Sequence, residues 1–173
     1  MNLKNSILIA FVLIAGCGYQ FDGAGTNLPE GVSQVKVDLF VNRTTEPYLA
    51  TLLTESITFR LMRQHNIALV EKSEDAEAVL SGEILQYNLS ASAFDAQDAV
   101  QAYRATLKVK VNLKRLSDGK ILWQGESIRF EDFVSSGATI TAEEDLEAEI
   151  QQKVARRIAE DISWQLATGF GAD

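Results

Sequence analysis

The chain has 173 residues, is 46% hydrophobic, and carries 16 Lys and Arg against 24 Asp and Glu, a net charge of −8. That acidic balance excludes general nucleic-acid binding, which draws its affinity from a surplus of basic side chains. A single cysteine excludes an internal disulfide and a thiolate metal cluster, so stability must come from an apolar core, which a domain of this length can bury.

The N-terminus carries one positive charge, Lys4, then an unbroken apolar run over residues 7–14, then Ala15, Gly16 and Cys17. This is the three-part layout of a secretory signal. A cysteine directly after the small residues is the bacterial lipoprotein arrangement: the thiol takes a diacylglycerol, the leader is cut before Cys17, and the new amine is acylated. The apolar run is well short of the ~20 residues a membrane-spanning helix needs. The bland alternative is an uncleaved anchor with an incidental cysteine. The expected organisation is a signal over residues 1–16, a lipidated N-terminus and Gly-rich tether over 17–33, one domain over 34–169, and a tail over 170–173.

Within the domain, Val35, Val37, Leu39 and Val41 alternate with polar residues and Phe40, which predicts a strand. Asn42 to Pro47 reads as a turn in which Thr44 or Thr45 caps a helix, with Pro47 in its first turn. Leu49, Leu52, Leu53, Ile57, Phe59 and Leu61 give that helix, over residues 48–65, an apolar face. Residues 67–70 suit an edge strand. Residues 78–89 suit a longer strand whose register Gly82 blurs, and the polar stretch 90–102 suits a mobile loop.

The clearest strand follows, with Tyr103, Ala105, Leu107, Val109, Val111 and Leu113 alternating with polar residues. Asp118-Gly119 supplies a tight turn, and residues 121–133 return as the partner strand, with Gly125 as a bulge. After a second loop over residues 135–141, Thr141 and Glu144 form a capping box. The final helix repeats Leu146, Ile150, Val154, Ile158, Ile162 and Leu166 every fourth residue, with Ala155 and Ala159 beside them, and Gly169 ends it. The order β-α-β-β-β-α predicts an α/β chain of the α+β two-layer kind, with both helices on one face of a mixed four-stranded sheet.

Catalytic constellations are scarce. His65, the lone histidine, suits the C-terminal end of the first helix better than a ligand or base role, since no second histidine or free thiol accompanies it. The acids Glu143, Glu144, Asp145, Glu147 and Glu149 crowd a helix start and read as a solvated, dipole-compensating face. No Gly-rich phosphate loop, nucleophile elbow or metal-ligand spacing occurs. What stands out is a basic hairpin: Arg104, Lys108, Lys110, Lys114, Arg115, Lys120 and Arg129. Alternation puts Arg104, Lys108, Lys110 and Lys114 on one sheet face, opposite the apolar set. That face is either a solubilising open surface or a site for phosphates or carboxylates spread over a large ligand.

Several segments resemble the LPS-assembly lipoprotein family LptE. Cys17-Gly18-Tyr19-Gln20-Phe21 is similar to the mature N-terminus of its members, and Phe40-Val41-Asn42-Arg43-Thr44 to the segment before their first helix. Ala76 to Ile84 resembles the family's second strand, and the stretch from Tyr103-Arg104-Ala105 to Leu122-Trp123 its central hairpin. The resemblance implies a non-enzymatic protein of the cell outer membrane, lipid-anchored through Cys17, with its domain on the periplasmic side and within a barrel lumen. Its partners would be the β-barrel LptD, which it plugs and helps to assemble, and lipopolysaccharide, bound during transport to the outer leaflet. The resemblance also implies that basic side chains meet lipopolysaccharide phosphates, and Arg104, Lys108, Lys110, Lys114, Arg115 and Lys120 are the candidates. No cofactor is expected beyond the acyl groups on Cys17, and no nucleic acid. A regulator of cell-wall synthases or a secretin pilot would share the same anchor and domain. An enzyme acting on envelope sugars would need two separated carboxylates in a cleft.

Overall fold

The computed structural model describes residue 28 and residues 32–64, 67–98, 100–134 and 140–168. The leader, Cys17, His65, Gly169 and the loop before the last helix, except Ile140 and Thr141, lie outside the described residues. Two helices, α1 (Leu49–Met62) and α2 (Ile140–Thr168), cover one face of a six-stranded sheet. The strands are β1 (Gln34–Val37), β2 (Val41–Asn42), β3 (Ala68–Leu69), β4 (Ala78–Phe94), β5 (Val100–Arg115) and β6 (Ile121–Val134). Their order is β3-β1-β4-β5-β6, with β2 also on β4; β1, β2 and β3 pair in parallel and β4, β5 and β6 in antiparallel fashion. The predicted class stands, and the sheet has more strands than the four expected.

The extra strands come from a break. A continuous alternation would send Leu39 and Val41 inward with Val35, yet Leu39 is 65% exposed, Val41 is 45% exposed, and Phe40 is buried. The Phe40 N–H leaves the ladder and donates to Thr54 Oγ1 on α1 at 3.1 Å, which steps the chain by one side-chain position and drops the ring over Gly82. A Cβ on Gly82 would meet that ring and lie 2.6 Å from the Lys110 carbonyl oxygen, so glycine is needed there for the close approach. A register shift between Ile84 and Gln86 then lets Ile84 and Tyr87 both face the helices.

Four other expectations change. Residues 90–102 are not a long loop: β4 runs to Phe94 and β5 starts at Val100, joined by a short turn in which the Asp98 N–H donates to the Asp95 carbonyl. The small side chains there gave no apolar signal, but ladder pairing such as Ala91 with Tyr103 does not require one. Helix α1 begins after Tyr48 with no side-chain cap, because Thr44 is used earlier: its N–H and hydroxyl both reach Asn42 Oδ1, at 2.9 and 2.8 Å. Thr141 lies inside α2, which begins at Ile140, rather than capping it. Gly125 sits in regular register opposite Val111 rather than at a bulge, and the shift on that ladder falls between Leu113 and Lys114. Glycine at 125 makes room for the Trp123 ring, which a Cβ would meet, together with the Gln165 side chain 2.8 Å away.

The core is as the periodicity predicted. Leu49, Leu53, Ile57 and Leu61 of α1 and Ile150, Val154, Ala155, Ile158, Ala159, Ile162 and Leu166 of α2 are buried against Ala105, Leu107, Val109, Val111 and Leu113 of β5. Phe59 is instead outward and 64% exposed. Polar ties fix the helix direction: Gln64 Nε2 donates to Ser163 Oγ at 2.5 Å near the ends of both helices, and Gln151 Nε2, in the middle of α2, to Glu46 Oε2 just before α1 at 3.2 Å. The two helices therefore run the same way.

Candidate functional site: the open face of the sheet

Alternation along β5 puts five apolar side chains under the helices and turns Arg104, Thr106, Lys108, Lys110, Asn112 and Lys114 to the opposite face. The structure thus brings together four of the six candidate cations on one surface. Arg115 does not join them. It falls one position out of phase, its side chain is 19% exposed, and its guanidinium pairs with Asp118 at 3.1 Å. Lys120 lies in the exposed turn beside Lys114, where its N–H donates to Asp118 Oδ1 at 3.0 Å. That bond, and then the Arg115 guanidinium, hold the Asp118 carboxyl below its usual range. Gly119 adopts φ +72°, the left-handed geometry that Asp-Gly turns supply, and the Lys114 stem runs beside it. Arg129, the remaining hairpin cation, faces the helices and forms an ion pair with Asp161 of α2; Ser127 Oγ donates to the same carboxylate at 3.3 Å.

Lys36, Arg43 and Glu83 are not legible on this face from the sequence because they reach it only through register, whereas Glu126 belongs to the basic hairpin itself. Lys36 on β1 is opposite Val79, which is opposite Lys114, so two lysines stand ~10 Å apart across three strands. Arg43, just beyond β2, pairs with Glu83 at 3.3 Å. Glu83 is opposite Lys110, Lys110 is opposite Glu126, and Glu126 pairs with Lys108 at 2.6 Å. The middle of the face is therefore a row of alternating charge. Its turn end is richer in cations: Lys114 makes no ion pair among the described residues, and Lys36 is matched only by Asp38 at 2.5 Å. No residue in either zone offers paired carboxylates facing a cleft, and no group of three or more metal-ligating side chains occurs among the described residues. Chemically, the surface can bind spread anionic groups, most strongly at the turn end, where Lys114 makes no ion pair among the described residues.

Solved structures share this architecture. Rare lipoprotein B from Shewanella oneidensis superposes with a TM-score of 0.53 at 15% identity, covering 79% of this chain and 96% of that one. The minor lipoprotein of Acinetobacter baumannii gives 0.50 at 15% identity, covering 82% and 95%. The PelC dodecamer subunit of Paraburkholderia phytofirmans gives 0.52 at 19% identity, covering 76% and 87%. At such identities these likenesses speak to the fold: this is an α+β domain of the kind found in small bacterial lipoproteins. No curated protein matches the chain at a significant level. The family is nevertheless plain from its sequence profile. Residues 32–166 match the lipopolysaccharide-assembly family LptE, and the chain belongs to that family.

Proposed function

We propose that the chain is an outer-membrane lipoprotein, anchored through acylated Cys17, that plugs and supports assembly of the LptD β-barrel and binds lipopolysaccharide on its way to the outer leaflet. The observation that carries the ligand half is the open sheet face, where Lys114 makes no ion pair among the described residues and Lys36 stands across Val79 from it, matched by Asp38. Membership in the lipopolysaccharide-assembly family supports the pathway. The reading is of a binding and assembly role with no turnover chemistry. Cations at the turn end engage phosphates, while the alternating row across Lys110 gives way to ligand only where a phosphate displaces Glu83 or Glu126. Inside a barrel the lower effective dielectric strengthens such contacts.

Charge-neutralising Lys108, Lys110, Lys114 and Lys120 together to Gln is expected to lower lipopolysaccharide affinity about tenfold or more, since each charge-assisted contact contributes on the order of 1 kcal/mol. Retention of lipopolysaccharide on the immobilised mature domain measures this, with circular dichroism to check the fold. Unchanged retention in a folded variant removes these residues from the site. The barrel half is tested by solubilising outer membranes in detergent and pulling on a C-terminal tag. A stable complex with a much larger barrel is expected, whereas a regulator or pilot of another envelope machine would come out without one.

A further inference from the structure

Away from the sheet, α1 and α2 leave a groove of about 380 Å³ along their outer seam. Leu52, Phe59 and Ala159 supply its apolar lining, and Arg60, Arg63 and Arg156 its charge. These arginines differ from their neighbours. Lys153 pairs with Glu149 at 2.8 Å and Arg157 with Glu160 at 3.1 Å, yet Arg60, Arg63 and Arg156 make no ion pair among the described residues. Glu55 and Glu160 also line the groove, the latter held by Arg157, so guanidinium charge predominates in a chain whose net charge is −8.

The apolar groups beside the groove are equally conspicuous. Phe59 is 64% exposed with the Arg63 guanidinium 5.8 Å from its ring centroid, and Trp164, further along α2, is 67% exposed. Trp164 stands two turns beyond Arg156 on α2, directly after Ser163, whose hydroxyl accepts from Gln64 at the end of α1. An exposed Phe with three Arg around a groove is the composition of a protein-binding hot spot rather than of a solvated helix face. An anionic lipid surface fits less well, since a flat surface would press on Glu55, Glu149 and Glu160 together, whereas a narrow segment can lay its carboxylates on the arginines alone.

From this combination we infer that the outer α1–α2 groove is the docking site for an acidic, aliphatic segment of a protein partner, its carboxylates meeting Arg60, Arg63 and Arg156 and its apolar side chains resting on Phe59. This rests on the reading that a larger protein holds the domain, and it assigns the helix layer to that protein and the sheet face to the ligand.

The full chain is co-expressed with its LptD barrel, carrying a photo-cross-linking phenylalanine analogue at Phe59 in one sample and at Leu39 on the far side in another. The expected result is an adduct from position 59 to a carboxylate-rich barrel segment. It should fall about tenfold in R60E/R63E/R156E, where attraction becomes repulsion, and persist in R60K/R63K/R156K. A stable complex in which position 59 gives no protein adduct, or one to lipid alone, overturns the inference and leaves the barrel reading standing. If no complex forms, the barrel reading has failed, and the groove is decided by titrating the isotope-labelled mature chain. Chemical-shift changes confined to Leu52, Phe59 and Ala159, seen with an alternating Glu-Leu peptide and absent with its Lys-Leu counterpart, uphold the inference. An equal response to the basic peptide, or tighter binding to phosphatidylglycerol vesicles, ends it.

Discussion

Gly82 shows how one missing side chain sets a sheet. Its bare Cα lets Phe40 lie over β4 and fill the core where the first strand breaks. The Gly82→Ala substitution is expected to destabilise the domain by about 1–3 kcal/mol, because the added Cβ lies 2.6 Å from a backbone carbonyl that cannot move aside. Urea denaturation reads this as a lower midpoint at an unchanged slope. Tyr87 provides a second residue-scale test. Burial first, then the charges of Glu147 and Glu46, push its phenol up to about 12. A pKa raised on folding means that the neutral phenol is the favoured form in the native state. Its contribution is complete below pH ~10 and is lost as the pH climbs through the folded value. Tyr87→Phe, which cannot ionise, is expected to remove that alkaline loss, seen as a flatter dependence of melting temperature on pH between about 10 and 12. Had Tyr87 ionised freely in the fold, the two proteins would fall together.

At the scale of elements, α2 and β5 carry half of the buried core, and both were legible in the chain. The fourfold spacing of Leu146, Ile150, Val154, Ile158, Ile162 and Leu166 and the twofold spacing from Ala105 to Leu113 each name a buried face, and burial follows both lists closely. Ile158 is fully buried at the centre of that interface, so Ile158→Ala is expected to cost about 2–5 kcal/mol, the transfer term plus the cavity left behind. A loss below about 1 kcal/mol would mean that the helix–sheet interface is much looser than its burial indicates. Elements failed to be legible where local signals competed. The first strand reads as one unit by alternation, but a single hydrogen bond from Phe40 to Thr54 divides it. The hairpin beyond Leu89 reads as loop because Ser and Ala carry no period, although its backbone stays paired with β5 as far as Phe94 through two register shifts.

For the whole molecule, the division of labour follows from the layers: the helices bury one face of the sheet and leave the other free. The acyl anchor proposed at Cys17 would keep the domain near its barrel and raise the effective concentration for insertion. Cys17→Ser is therefore expected to release the protein from the membrane fraction while leaving the purified domain able to bind the barrel on mixing. Fractionation followed by a pull-down reads both halves, and a loss of barrel binding in the soluble variant would place the anchor inside the interface itself.

By itself the sequence determined the family, the two-layer class, the buried faces of both helices and the central strand, and the clustering of basic residues on one hairpin. Those follow from periodicity and short motifs, which are local and survive in one dimension. Only the tertiary structure decided which charges meet. Arg115 left the cationic face through its one-position offset at the end of β5, and Arg129 turned to Asp161, while Lys36, Arg43 and Glu83 arrived from other strands through register. Pairing between strands distant in sequence sets electrostatic neighbours, and the alternation of one strand records only its own two faces.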